Sequence, residues 1–236
     1  MRKILGCLRK AVEKYDMIRE GDRVAVGVSG GKDSLMLLHA LHLYRHFSPV
    51  KFELCALTLD MGFEGFDTGP LTAYCESIGV AHHIVKTEIG PIIFEVRREK
   101  NPCSLCARMR RGALHDWMVE KGYNKLALGH HADDAIETLL MSLLYEGRMY
   151  TFQPVTYLSR KDITSIRPLI YATEKDIIGA VKGAELPVQK SPCPADKDSA
   201  RQEAKQMLKE LYKTHPQARE RIMHALENKE QTRLWF

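Results

Sequence analysis

The sequence SGGKDS, at residues 29–34, has the residue types of an anion-binding turn. It follows an apolar segment, residues 24–28, that predicts a buried parallel strand, and it precedes an apolar-periodic stretch, residues 35–44, that predicts a helix. Glycines let the backbone approach a ligand closely, and the first turn of a helix has N–H groups without partners. Because the helix dipole also favours negative charge there, such a turn is typical of a phosphate site, to which Lys32 adds a positive charge.

This turn is not a Walker A loop, which has four residues between its first glycine and the Gly-Lys pair, and a Ser or Thr after the lysine. Here three residues separate Gly27 from Gly31, and Asp33 follows Lys32. SGGKDS instead resembles the PP-loop of the N-type ATP pyrophosphatases, in which ATP is cleaved between its α- and β-phosphates. A glycine-rich turn without a ligand is the alternative, but six consecutive matches between a strand and a helix favour the PP-loop.

A second candidate site is the C-x-x-C pair of Cys103 and Cys106, with Cys193 far downstream. A C-x-x-C alone fits a redox pair, half of a zinc site or part of an iron–sulfur site. A structural zinc usually has four protein ligands, and no second C-x-x-C completes such a set. Three thiolates fit a [4Fe–4S] cluster with one open iron, which could hold sulfide. The alternative, an inert buried thiol, fits the cysteines in apolar patterns, which are Cys7, Cys55 and Cys75.

The sequence GHHADD, at residues 129–134, has two interpretations. Its histidines and aspartates could bind a metal ion, or Asp133 or Asp134 could cap the helix that follows. We favour the cap, and we place Gly129 and His130 at the edge of the nucleotide site.

Strands and helices alternate along the chain. The predicted strands are residues 24–28, 52–59, 81–85, 125–128 and 163–166, and the predicted helices are residues 2–15, 35–44, 71–78, 92–100, 104–121, 135–145 and 174–182. This order predicts an α/β fold, a doubly wound parallel sheet of Rossmann-like type with helical N- and C-terminal additions. The loops that follow the strands then lie along one edge, where ligands bind. Asp60 ends one strand, and it either contacts ribose or Mg²⁺ or is a turn residue.

The composition is that of an ordinary globular protein, with 236 residues, 44% of them hydrophobic and 28% charged. We expect a PP-loop domain at residues 1–190, including the N-terminal helix and the C-x-x-C insertion, and a C-terminal helical segment at residues 191–236 that carries Cys193. No apolar run is long enough to span a bilayer, and no signal peptide is recognisable. These features predict a cytoplasmic protein with no membrane partner.

Positive charge is concentrated at residues 97–111, which contain six Lys or Arg and one Glu, an excess equal to the net charge of +5 of the whole chain. Arg108 and Arg111 are three residues apart, and we expect them to share the helix face next to the cysteines while Arg110 points elsewhere. They could then contact the phosphates of a nucleic acid. The alternative is that one of them pairs with a local acid, such as Asp116 or Glu120, and only supports the helix.

A second basic stripe lies near the C-terminus, where Arg201, Lys205, Lys209 and Lys213 follow i, i+4 spacing. The stripe predicts either a second contact with nucleic acid, through Arg201 and Lys205, or a solvated helix face.

Together these motifs resemble the tRNA 2-thiocytidine synthetase family, which thiolates a cytidine of the tRNA anticodon loop. The matching segments are residues 17–34, 103–112, 126–140, 167–177 and 192–193. The resemblance implies an adenine nucleotide alpha hydrolase-like fold. It further implies that ATP is bound by Ser29, Gly30, Gly31, Lys32, Asp33 and Ser34. The [4Fe–4S] ligands that it implies are Cys103, Cys106 and Cys193.

The same resemblance implies a reaction with ATP, Mg²⁺ and tRNA. The C2 carbonyl oxygen of a pyrimidine is a poor leaving group, and adenylation makes AMP the group that leaves. Sulfide from the open iron then attacks C2, and AMP leaves. We expect Lys32, Asp33, Cys103 and Cys106 to be catalytic, a cysteine desulfurase or free sulfide to supply sulfur, and a homodimer. Because CPADKDSARQ after Cys193 departs from the family pattern, the base, cytidine or uridine, stays open.

Three other functions compete with this one. A 2-thiouridine synthetase of the zinc-finger-bearing type needs further cysteine pairs, and a lysidine synthetase has no use for three cluster cysteines. A redox regulator that binds RNA through a cluster, without turnover, needs no SGGKDS loop.

Overall fold

The centre of the fold is a mixed sheet. The computed structural model describes residues 1–97, 102–190, 192–194 and 199–228. Within these ranges the sheet has six strands, which are β1 (Arg23–Gly27), β2 (Glu53–Asp60), β3 (Ala81–Lys86), β4 (Lys125–Ala127), β5 (Val155–Leu158) and β6 (Ile163–Ile166). Their order is β3-β2-β1-β4-β6-β5, and the pairs are parallel apart from β5 with β6. The predicted α/β fold with a doubly wound sheet is confirmed.

The antiparallel edge strand β5 was not predicted. Its connection to β6 is only four residues long, residues 159–162, and such a short connection can join only antiparallel neighbours, because a parallel pair needs a crossover.

Helices connect the parallel strands. They are α1 (Arg2–Lys14), α2 (Lys32–Arg45), α3 (Gly69–Ser77), α4 (Ile89–Pro91), a π-helix (Ile92–Val96), α5 (Pro102–Lys121), α6 (Ala132–Glu146), α7 (Glu174–Gly183), α8 (Ser199–Thr214) and α9 (Ala218–Glu227). The helix predicted at residues 92–100 is thus a π-helix as far as Val96, and residues 98–100 lie outside the described ranges. Pro102 begins α5, where its missing N–H has no helical partner to lose. None of the described helices is long and apolar enough to cross a membrane.

The central strand β1 explains why the PP-loop has a fixed position. Val24, Ala25 and Val26 are fully buried, and β1 pairs with β2 on one side and with β4 on the other. A continuous apolar run of this kind is typical of a parallel strand covered on both faces. The loop that follows β1 therefore starts from a rigid part of the core.

The chain forms two units. The first comprises Met1–His131 and Gln153–Asp196, and it contains the sheet, the PP-loop and Cys193. The second comprises Ala132–Phe152 and Lys197–Phe236, and it contains α6, α8 and α9. The sequence predicts two consecutive segments that meet at residue 190. The two units are instead each formed by two separate stretches of the chain, and the second combines α6 with the C-terminal helices.

Candidate active site

The PP-loop lies where the strand order reverses, because β1 is bonded to both β2 and β4. This switch point is where open α/β sheets bind ligands. Gly30 has a φ of +82°, which glycine adopts without a steric penalty, and Gly31 is the N-cap of α2. The loop therefore leads directly to the free N–H groups of the α2 N-terminus.

Two serines fix the shape of the loop. The Ser29 N–H donates a hydrogen bond to Ser34 Oγ at 3.1 Å, and Ser34 Oγ donates to the Gly31 carbonyl oxygen at 3.0 Å. The hydroxyl oxygens of Ser29 and Ser34 lie 3.2 Å apart. The serines predicted as ligand donors thus also hold the loop in a closed turn.

Lys32 is held by two carboxylates at the start of α2. Its Nζ donates to Asp33 Oδ2 at 2.9 Å and lies 3.2 Å from Oε1 of Glu174, the first residue of α7. Burial lowers the pKa of Lys32, but the hydrogen bond to Asp33 and the charges of Asp33 and Glu174 outweigh burial, so the pKa is raised above its ordinary value. The ammonium is therefore charged at neutral pH. Sequence reasoning missed Glu174, although its place at the start of a helix after a strand was a usable signal.

The loop after β4 packs against the start of α2. A Cβ on Gly129 would lie 2.9 Å from the carbonyl carbon of Asp33 and 3.0 Å from the Ser34 nitrogen, so this position has no room for a side chain. His131 is buried, with Nε2 3.7 Å from Asp33 Oδ1, whereas His130 is half-buried. The sequence offered His131 only as a possible metal ligand and not as a neighbour of the PP-loop, and the nucleotide contact of His130 stays a prediction.

Asp33 has a buried oxygen of particular interest. Its Oδ1 has no hydrogen-bond partner among the described residues, while its Oδ2 accepts from Lys32. A buried carboxylate oxygen without a hydrogen bond is costly unless a cation or a donor binds it. The position of this oxygen at the anion-binding loop fits a ligand of Mg²⁺, which prefers carboxylate oxygens.

Asp60 has the turn role that was the alternative to nucleotide binding. Its Oδ1 accepts the Gly62 N–H at 3.0 Å, and its carbonyl oxygen accepts both the N–H and the hydroxyl of Thr87. The contact with ribose or Mg²⁺ stays a prediction.

A cavity of about 320 Å³ joins the PP-loop to the three cysteines. The end of β1 and the PP-loop contribute Gly27, Val28 and Ser29, and the cysteine region contributes Pro102, Cys103, Cys106, Arg110, Pro192 and Cys193. A third part of the lining is aromatic and consists of Phe63, Phe66 and Phe94. Residues more than 160 positions apart in the chain thus face one space, which is of the size that ligand sites have.

The three cysteines fit a cluster site by their chemistry. Cys106 is buried, Cys193 is half-buried and Cys103 is exposed. Burial raises the pKa of the Cys106 thiol, and the nearby Arg110 opposes this shift, while Cys193 and Cys103 add to it. Within the described residues no group of three or more His, Cys, Asp or Glu is arranged to hold a single metal ion. A cluster binds its thiolates through different irons, so they need not converge on one point.

The segment before Cys193 is fastened to the PP-loop by Gln189, which no motif marks. The Gln189 N–H donates to the Gly30 carbonyl oxygen at 2.9 Å, and its side-chain amide donates to the Asp67 carbonyl oxygen at 2.7 Å. These bonds anchor the chain four residues before Cys193, and they explain how a distant cysteine comes to face the PP-loop cavity.

Comparison with known proteins agrees with this site. Residues 4–211 match the PP-loop domain family. The tRNA-cytidine(32) 2-sulfurtransferase of Geobacter sulfurreducens is 41% identical over 230 residues, which are 96% of this chain and 90% of that protein. The enzyme of the same name from Geobacter metallireducens is 40% identical over the same shares. The chain belongs to the tRNA-cytidine(32) 2-sulfurtransferase family. The resemblance to 2-thiocytidine synthetases is thereby confirmed.

One solved structure that is similar to this chain contains an iron–sulfur cluster. The U34-tRNA thiolase from Methanococcus maripaludis, with its [4Fe–4S] cluster, matches with a TM-score of 0.77 and 29% identity over 93% of this chain and 76% of that chain. The PP-loop fold is therefore shared with a thiolase that carries a cluster.

The face of α5 that lines the cavity differs from the predicted one. Cys103, Cys106 and Arg110 line the cavity, at i, i+3 and i+7. The prediction that Arg108 and Arg111 face the cysteines while Arg110 points elsewhere is wrong, because Arg110, seven residues after Cys103 and four after Cys106, shares their side of the helix. Residues 98–101 of the basic segment lie outside the described ranges.

The structure gives the other two arginines no place in the cavity lining. Arg111 Nε donates to the carbonyl oxygen of Ala107 at 3.2 Å, within its own helix, and Arg108 is exposed. Asp116, a predicted alternative partner, pairs instead with Lys161 at 2.8 Å.

In the second unit, the two aspartates at the start of α6 pair with arginines of the C-terminal helices. Asp133 Oδ1 lies 2.8 Å from Arg219, and Asp134 Oδ1 lies 3.2 Å from Arg201, which also approaches Glu137 at 3.7 Å. Both aspartates lie inside the first turn of α6, where the helix dipole favours them, so the prediction that one caps the helix is wrong. The charge of Arg201 is balanced by two carboxylates, which weakens the case for an RNA contact there.

Two of the other cysteines have the environment of inert thiols. Cys55 and Cys75 are fully buried, and burial raises the pKa of each thiol to about 11. Cys7 is half-buried on α1, and burial raises its pKa as well.

Proposed function

We propose that this protein is an ATP-dependent tRNA sulfurtransferase that converts a cytidine of the anticodon loop to 2-thiocytidine. The observation that carries the proposal is the cavity shared by Ser29 of the PP-loop and by Cys103, Cys106 and Cys193. ATP must activate the same carbon that sulfur attacks, so both reagents have to reach one bound base. The names of the family members and of the structural neighbour support a tRNA substrate.

The residues of the PP-loop supply the activation step. The C2 oxygen of cytidine attacks the α-phosphate of ATP, and pyrophosphate leaves. The N–H groups at the start of α2 and the Lys32 ammonium, which stands at that helix start, stabilise the charge that develops on the leaving pyrophosphate. Asp33 Oδ1 is the oxygen that we assign to Mg²⁺ on the phosphates. The product of this step is an adenylated base with AMP as its leaving group.

The three cysteines hold the sulfur source. Cys103, Cys106 and Cys193 would hold a [4Fe–4S] cluster, and an iron without a protein ligand would supply a site for sulfide. The buried Cys55 and Cys75 are poor sulfur carriers, because at neutral pH a thiol with a pKa of about 11 is protonated. We propose that sulfur arrives as sulfide, either free or released from the persulfide of a cysteine desulfurase by a thiol reductant. A homodimer and a cytoplasmic location stay predictions from the sequence.

The decisive experiment is a reaction under anaerobic conditions with reconstituted protein, ATP, Mg²⁺, sulfide and tRNA. Mass spectrometry of the digested tRNA is expected to show 2-thiocytidine, in amounts that match the AMP released. Formation of 2-thiouridine instead would show that the target base is uridine. Binding of tRNA without any AMP or thiolated base would point to a regulator and refute the proposal.

We predict that Arg110→Ala weakens tRNA binding more than the double variant Arg108→Ala, Arg111→Ala. Arg110 is the arginine of α5 that lines the cavity, so it is placed to contact a phosphate of the bound loop. A phosphate contact does not read sequence, and losing one should flatten the dependence of log affinity on log salt by up to about one unit of slope. Fluorescence anisotropy at several salt concentrations measures both quantities, and iron content shows whether the cluster is intact. A larger loss in the double variant would contradict the prediction.

A further inference from the structure

The aromatic part of the cavity has no role in the chemistry described above. Among the described residues, the aromatic side chains that line the cavity are Phe63, Phe66 and Phe94. Phe63 and Phe66 lie in the loop between β2 and α3, and Phe94 lies in the π-helix. Single-turn π-helical segments are frequent at functional sites. All three rings are half-buried, so each keeps some surface that a ligand can cover.

The Phe63 ring is held in place by its neighbours. A Cβ on Gly90 would lie 2.6 Å from Cε1 of Phe63 and 2.9 Å from the Met61 carbonyl oxygen. The Gly90 N–H donates to that same oxygen at 2.8 Å. The rings of Phe63 and Phe94 are 5.8 Å apart between centroids and tilted by 57°, which is a favourable aromatic geometry. The absence of a side chain at Gly90 thus makes room for a preorganised aromatic wall.

The position of this wall favours a pyrimidine over the adenine of ATP. The base atom that reacts must reach the α-phosphate at the PP-loop and the sulfur at the cysteines. The PP-loop, through Ser29, and the three cysteines line the same cavity as the phenylalanines. The adenine ring has no need to lie near the cysteines, because it is remote from the reacting atoms. A base stacked in an RNA loop reaches such a pocket by being extruded, and extruded bases commonly stack on aromatic side chains.

We propose that Phe63, supported by Phe94, is the stacking surface for the extruded target pyrimidine. The inference rests on the proposed function, since it assumes that the cavity receives a tRNA base. Phe63 acts by binding and orienting the base and takes no part in proton transfer or sulfur transfer.

The test measures binding of two RNA stem–loops, one with the target cytidine and one with an abasic site at the same position. We expect the wild-type protein to bind the cytidine form about tenfold more tightly, within the range that stacking of one base provides. Phe63→Leu keeps an apolar side chain but removes the ring, and it should reduce this ratio to about one. Phe63→Tyr keeps the ring and should preserve the ratio. The matched control is Phe47→Leu, because Phe47 is also partly exposed but does not line the cavity.

The outcomes separate this inference from the proposed function. An equal ratio in wild type and Phe63→Leu would overturn the inference, even if the wild-type protein makes 2-thiocytidine. Weaker ATP binding by Phe63→Leu with an unchanged RNA ratio would overturn it in favour of an adenine site. A ratio that depends on the Phe63 ring, in a protein that forms no thiolated base, would support the base site and refute the proposed reaction. Circular dichroism and iron content of each variant identify any loss of folding.

Discussion

Lys32→Ala is expected to reduce the formation of AMP from ATP and tRNA by about 100- to 1,000-fold, the usual effect of removing a charge-stabilising donor from an active site. The Lys32 ammonium is held at the α2 N-terminus by Asp33 and Glu174, so it is preorganised to meet the phosphates. Its removal also leaves these two carboxylates next to the anion without their cation. The rate of AMP release at saturating ATP and tRNA is the quantity to measure.

The control for this variant is Lys3→Ala. Lys3 pairs with Asp176 on α7, the same helix that carries Glu174, but it lies outside the PP-loop. Lys3→Ala should leave AMP release almost unchanged, and Lys3→Ala and Lys32→Ala should both keep their iron. Normal AMP release by Lys32→Ala would refute the role that we give to the PP-loop lysine.

Cys103→Ala, Cys106→Ala and Cys193→Ala are each expected to lose the cluster. Anaerobically reconstituted wild-type protein should contain about four irons per chain, and each variant should contain less than about one, because a [4Fe–4S] cluster with only two protein ligands is weakly held. Iron analysis and the visible absorbance of the cluster measure this loss. 2-Thiocytidine should disappear with the iron.

Cys7→Ala is the best matched control, because Cys7 is half-buried like Cys193 but lies on α1 and does not line the cavity. It should keep the full iron content, as should Cys55→Ala and Cys75→Ala if they fold. Full iron retention by Cys193→Ala, or tightly bound zinc in place of iron in anaerobically purified wild-type protein, would contradict the cluster assignment.

Features whose signals are local were predicted well. The strand, turn and helix around SGGKDS were found because an apolar run, a glycine pair and a helical pattern follow one another within some twenty residues. The strand β5 was missed because its four residues form an edge hairpin that depends on pairing with β6. The π-helix was missed because residues 92–96 also fit the periodicity of an α-helix.

The orientation of Arg110 is predictable from its spacing to the cysteines. Positions seven after Cys103 and four after Cys106 fall on the same face of a helix, so Arg110 shares the cysteine side. The start of α6 was a harder case, because the choice between a cap and a first-turn carboxylate depends on pairing with Arg201 and Arg219, which are distant in the chain.

The sequence by itself determined the PP-loop and the α/β class and singled out the C-x-x-C pair, because these features depend on residue types and short spacings. Only the tertiary structure decided that Cys193 faces the same cavity as Cys103, and that Glu174 holds Lys32. It also brought Phe63 against Phe94. The physical reason is that such contacts depend on how crossover connections and packed helices return distant segments to one edge of the sheet. The alternation of strands and helices predicts the shared edge, but no spacing along the chain specifies which side chains meet there.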